Sequence, residues 1–143
     1  MKHPWLILHY QLPREPSAPR VGVWRKLKKL GAVLVQDTLW VLPENNRTRE
    51  QFRWLAAEVI EQGGQANVWV GSSVLAGQED ALRRAFLEPA EAAYREILGE
   101  LEGDEPDLLG LSKTYQQTQA HDHLKSPLGE RVRVALLKAK GGK

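Results

Sequence analysis

Short apolar runs alternate along this chain with stretches that are apolar on one helical face only. Trp5-Leu-Ile-Leu-His-Tyr10 is a continuous apolar run bounded by Pro4 and by Gln11-Leu-Pro13, which predicts a buried central strand. Pro13, Pro16 and Pro19 then impose an extended loop, with Ser17 placed to cap a helix and Pro19 near its first position. In that helix Val23, Leu27 and Leu30 share a face with Trp24 beside them, while Arg25, Lys28 and Lys29 recur at i, i+3 and i+4 on another. Gly31 stops it.

Ala32–Gln36 and Thr38–Leu42 read as two short strands in a tight or bulged hairpin around Asp37. Pro43–Arg47 is a polar turn, and Thr48 with Gln51 has capping-box spacing. The next helix sets Phe52, Leu55, Ala56, Val59 and Ile60 in one stripe and ends at Gly63-Gly64, before a fourth strand, Gln65–Val70. The order β-α-β-β-α-β predicts an α+β, ferredoxin-like domain: a four-stranded antiparallel sheet with two helices on one face. Beyond it the pattern is helical. Leu82, Ala85 and Phe86 precede Pro89, a kink or split, and Tyr94, Ile97, Leu98 and Leu101 follow it. After the acidic turn Glu102–Pro106, a helix spans about 107–121, and another starts at Ser126-Pro127 and buries Leu128, Val132 and Leu136. Ala139–Lys143 reads as a frayed tail. The expected organisation is a ferredoxin-like domain over 1–75 and a helical extension over 76–143 packed on it as one structural unit.

At 143 residues, 42% apolar and 27% charged, the chain suits one globular domain with a real core. No run approaches the roughly 18–20 apolar residues needed to span a bilayer, and no signal-peptide pattern precedes the first strand, so a cytoplasmic protein without a membrane partner is expected. The absence of cysteine removes disulfides, thiolate metal sites and thiol nucleophiles. Charge is segregated: residues 1–60 carry +5, residues 61–110 carry −8 and residues 111–143 carry +5. Both ends suit a polyanion, or the acidic middle neutralises a basic end.

Arg14, Arg20, Arg25, Lys28 and Lys29 are the leading candidates for phosphate or oxyanion contact. Arginine binds phosphate through paired N–H donors, and the start of a helix adds free backbone N–H groups. The competing reading is a solvated helix face beside a structural loop. Arg47, Arg49 and Arg53 open the second helix, where cations oppose the helix dipole, so they form either an anion site or ion pairs with acids from 61–110. The five tryptophans, Trp5, Trp24, Trp40, Trp54 and Trp69, are expected in the core or a dimer seam, with Trp24 beside cations also placed to stack on bases. His121 and His123 lie on different sides of a helix, far in sequence from His3 and His9, so no metal site is expected; no Ser/His/Asp triad is apparent either.

The strings Leu12–Pro43, which opens with Leu12-Pro-Arg-Glu-Pro-Ser-Ala-Pro-Arg20, Thr48–Val70 and Leu111–Leu137 resemble the N-terminal domain of the chromate-resistance regulator family called ChrB. The resemblance covers nearly the whole chain. It implies a cytoplasmic bacterial repressor of chromate-efflux genes that is relieved by chromate, and a homodimer; from the residues themselves no cofactor and no catalysis are expected. DNA and the chromate oxyanion are then the expected partners. Full-length members carry a further C-terminal domain with no counterpart in these residues, so the other expectation is a scaffold that docks on a separately encoded chromate-sensing domain. His121-Asp-His-Leu124 also departs from the family's acidic residue followed by aromatics. A more distant likeness joins the first seventy residues to the ferredoxin-like CRISPR spacer-acquisition proteins and to phenylacetate-degradation repressors. Some of the former are nucleases with an aspartate closing the first strand. Here Gln11 follows Tyr10 and brings no charge to hold a divalent cation, which argues against a nuclease.

Overall fold

The first apolar run forms β1 (Trp5–Gln11), and it is hydrogen-bonded on both sides. The computed structural model describes residues 4–141. In it α1 (Ala18–Leu30), β2 (Val33–Gln36), β3 (Leu39–Pro43), α2 (Asn46–Glu61) and β4 (Gln65–Gly71) complete the β-α-β-β-α-β order. The sheet runs β2-β3-β1-β4 and every neighbouring pair is antiparallel. The ferredoxin-like expectation therefore holds. Leu6, Leu8 and Tyr10 alternate along β1 and are all buried, as a central strand with a covered face requires.

Local chemistry accounts for the joints. Gly31 adopts φ 76°, and the pair Gly31 N–H to Lys28 O and Ala32 N–H to Leu27 O closes α1 in a Schellman pattern. Ser17 precedes α1, but its side chain makes no capping hydrogen bond because its backbone is already helical, correcting the sequence expectation. The β2–β3 hairpin turns at Asp37-Thr38, with Asp37 at φ 47° and a register shift between Leu34 and Gln36. The α2 cap also shifts. Asn45, not Thr48, is the cap: Asn45 Oδ1 accepts from Thr48 N–H at 2.9 Å, and Thr48 Oγ1 accepts from Asn45 N–H at 3.0 Å. Thr48 Oγ1 also donates to Pro43 O at 2.7 Å, anchoring the helix start to the end of β3.

Along α2, Phe52, Leu55 and Val59 are buried, but Ile60 turns outward and is exposed, so the apolar stripe is narrower than the sequence suggested. The tryptophans divide as well. Trp5 and Trp40 are buried, with Trp5 Nε1 donating to Glu79 Oε1 at 2.9 Å, whereas Trp24, Trp54 and Trp69 are 48%, 75% and 52% exposed and do not belong to the core.

The chain falls into two compact units that meet at Asp80–Ala81, inside α3 (Ala76–Leu101). That helix continues through Pro89, so of the kink or split expected there, the split does not occur. Apolar packing of Phe86, Ala90, Tyr94 and Ile97 on either side offsets the missing N–H. The second unit also contains α4 (Leu108–His121) and α5 (Pro127–Gly141), around a core of Ala90, Tyr94, Ile97, Leu111, Val132 and Leu136. The tail expected to fray is helical through Gly141; residues 142–143 lie outside the described residues, as does His3.

The α4–α5 connection is held by buried Asp122. Tyr94 Oη donates to its Oδ2 at 3.0 Å, and Ser126 N–H donates to both carboxylate oxygens. His123 packs edge-on against Phe86, 6.0 Å between ring centroids, while His121 is exposed at the end of α4. Gly129 sits under the Tyr94 hydroxyl, where a Cβ would come within 3.1 Å of Oη.

Two outcomes follow from this packing. Gly64 lies against β1, where an added Cβ would stand 2.2 Å from Gln11 O, whereas Gly22, inside α1, has open space. Gly64→Ala should therefore lower the urea midpoint, and Gly22→Ala should raise stability by about 0.5–1 kcal/mol. For Tyr94, burial and the neighbouring Asp122 carboxylate push the phenol pKa above its ordinary value of 10.0. Because the folded pKa is raised, the stability it contributes is fully present below pH about 10 and is lost as the unfolded phenol ionises above it. Tyr94→Phe should cost about 1–2 kcal/mol at pH 8 and decline less steeply above pH 10, as read in urea melts.

Candidate functional site

At one end of the sheet, the close of β1, the proline-bearing loop, the first turns of α1 and the β2–β3 turn come together. Tyr10 N–H donates to Thr38 O at 3.3 Å, tying β1 to the hairpin turn. An open groove of about 1020 Å³ lies among these segments. Arg14 and Ser17 reach it from the loop, and Arg20, Trp24 and Arg25 from α1. The i, i+4 spacing puts Arg20 and Trp24 beside the buried Val23–Leu27 edge, at the border between core and solvent, while Arg25 comes from the exposed face of the helix. Gln11, Asp37 and Thr38 complete the polar lining.

The groove carries three guanidinium groups and one carboxylate, Asp37, so its field favours anions. Burial raises the Tyr10 pKa, while the Trp40 indole and the Arg20 charge pull it back, and the phenol stays neutral at physiological pH. The Trp40 N–H lies in the core and makes no hydrogen bond of ordinary geometry. Lys28 Nζ stands 5.7 Å from the Trp24 ring centroid, a cation–π contact on the same side of the helix. Lys29 is exposed, and both lysines lie in the last turn of α1, where a cation complements the helix dipole.

Of the eight cations singled out from sequence, the fold gathers Arg14, Arg20 and Arg25 in the groove, places Lys28 and Lys29 further along the same helix and leaves Arg53 exposed on α2. Arg47 and Arg49 are elsewhere. They open α2, which follows the end of β3 paired with Trp5, whereas the groove lies at Gln11. Seven strand residues separate these ends by roughly 20 Å. Arg49 pairs with Glu44, so its partner comes from the adjoining turn and not from the acidic 61–110 segment. Lys26, which pairs with Glu58, similarly links α1 to α2.

The sequence did not single out Asp37 and Thr38 as site residues. Their contribution depends on the hairpin returning beside Tyr10, although the turn itself was legible. Gln11 stands in the groove where a metal-dependent nuclease on this fold would need its carboxylate, and no group of three or more metal-ligating His, Cys, Asp or Glu side chains occurs among the described residues.

The fold and groove together define a ferredoxin-like domain with an anion-attracting cleft where the first strand meets the first helix. Residues 20–103 match the family described as Protein ChrB, N-terminal, and the chain belongs to that family. It is 30% identical over 120 residues to Protein ChrB of Cupriavidus metallidurans, a match covering 78% of this chain and 36% of that relative. The chain thus spans little more than a third of the relative's length. No solved structure matches it. No helix of the described residues is long and apolar enough to cross a membrane.

Proposed function

We propose that this chain is a regulatory protein of chromate resistance that contacts DNA phosphates through α1 and the loop before it, acting as a homodimer that chromate releases. The observation that carries this reading is that Arg14, from the loop, and Arg20 and Arg25, from α1, line one groove, with Lys28 and Lys29 further along the helix. Guanidiniums carried on a proline-bearing loop and a helix give up less backbone freedom on meeting phosphate than the same charges on a tail. Chromate, a tetrahedral dianion, is drawn to the same groups and would compete for them. Family membership and the +5 charge of the first sixty residues point the same way. The open backbone edges of β2 and β4 supply surfaces for self-pairing.

The duplex upstream of the chain's own gene, titrated by fluorescence anisotropy, is expected to bind with a log–log salt slope of roughly −3, as three or four neutralised phosphates require. Arg20→Ala should reduce the slope by about one, and chromate should release the duplex. A salt-independent signal, or none, would overturn direct DNA contact and favour a docking module for a separately encoded sensor. Sedimentation of the 16.1 kDa chain should give twice its mass, and a monomer at micromolar concentration would remove the dimer from the proposal.

A further inference from the structure

The groove beside α1 is larger and chemically more varied than a bare oxyanion needs. Its volume of about 1020 Å³ lies at the upper end of small-molecule pockets, which run roughly 300–1,000 Å³. A tetrahedral anion with four oxygens would engage the arginines and leave most of that space to water. Two further features select among larger anions. Trp24 lines the groove and is 48% exposed, and an indole left in contact with solvent beside guanidiniums offers a plane for a planar ring. Lys28 Nζ lies over that ring, 5.7 Å from its centroid, and adds positive charge beside it. Asp37 is the second feature. Its carboxylate stands against three guanidiniums, so the groove stays positive, and it accepts hydrogen bonds well from hydroxyl or amino groups. The hairpin holds it in place, since Thr38 O accepts from Tyr10 N–H and Asp37 itself sits in a turn at φ 47°.

We propose that this groove binds a nucleoside monophosphate. The phosphate meets Arg14, Arg20 and Arg25, the base lies against Trp24, and Asp37 with Gln11 takes the hydroxyl or amino groups of the sugar or base. One ligand then uses the guanidinium cluster, the exposed indole and the carboxylate together, which neither a bare oxyanion nor a duplex backbone does. The pocket stands independently of duplex binding. A nucleotide in it would occupy the same arginines, so it would also act as an effector if the DNA reading holds.

Isothermal titration of the full chain without DNA tests this directly, using the 5′-monophosphates of adenosine, guanosine, cytidine and uridine, together with adenosine and inorganic phosphate. At least one monophosphate should bind saturably and at least about tenfold more tightly than phosphate or adenosine alone, since each of those uses only part of the groove. Arg20→Ala and Trp24→Ala should each weaken it about tenfold, with the circular dichroism spectrum unchanged because both side chains lie at the surface. Asp37→Asn, which suits the left-handed turn and removes only the charge, should weaken the nucleotide but not phosphate. No saturable heat with any monophosphate at millimolar concentration would overturn the proposal. Phosphate binding as tightly as the nucleotides would overturn it in favour of a plain oxyanion site, and wild-type affinity in both Arg20→Ala and Trp24→Ala would place the ligand elsewhere. Duplex titration is a separate experiment, so failure of one reading leaves the other measurable.

Discussion

Everything in the first unit depends on β1 being paired on both sides. A strand that gives its backbone hydrogen bonds to β3 and β4 leaves little room for anything but backbone beside its end. At Gly64 that constraint becomes steric, because the chain entering β4 passes so close to Gln11 O that a Cβ does not fit. The central position of β1 also decides where the next segment can go. Leaving the sheet at Gln11, the chain must cross to the covered face, and the proline-bearing loop performs that crossing. The groove is the space left where the crossing loop, α1 and the returning hairpin do not close on one another.

That geometry sorts the charges. Lys26 and Arg49 are engaged with Glu58 and Glu44, and exposed pairs of this kind contribute little to stability while fixing where the side chains lie. Lys28 and Lys29 suit the C-terminal end of α1 on dipole grounds alone. Arg14, Arg20 and Arg25 have no comparable local reason to be together. They converge because a loop and a helix approach the same strand end, and that convergence is what gives the groove its chemistry. One carboxylate, Asp37, lines the groove with them.

The second unit uses polar burial differently. Asp122, Tyr94 and Ser126 satisfy one another inside a helical core, so their chemistry is spent on holding the α4–α5 connection. His121 and His123, which invite thoughts of metal binding as letters in a sequence, are separated in role: one is exposed, and the other packs against Phe86.

The sequence by itself determined the element order, the central strand, the helix stop at Gly31 and the hairpin at Asp37, because each follows from interactions within a few residues: apolar periodicity, a left-handed glycine, a turn residue. It also carried the family, through a long proline-rich string whose composition is unusual. The narrower apolar stripe of α2 and the persistence of α3 through Pro89 were not legible, since each depends on what packs against the helix, whereas the α2 cap is a local pairing of Asn45 with Thr48 that the capping-box spacing placed three residues late. The cation set shows the same division. Spacing alone could place Arg25, Lys28 and Lys29 on a helix, but only the tertiary structure could separate Arg47 and Arg49 from Arg14 and Arg20 and bring Asp37 in beside them. Pairing in a sheet joins residues that sequence distance keeps apart, and it was that pairing that turned a row of cations and prolines into a cleft.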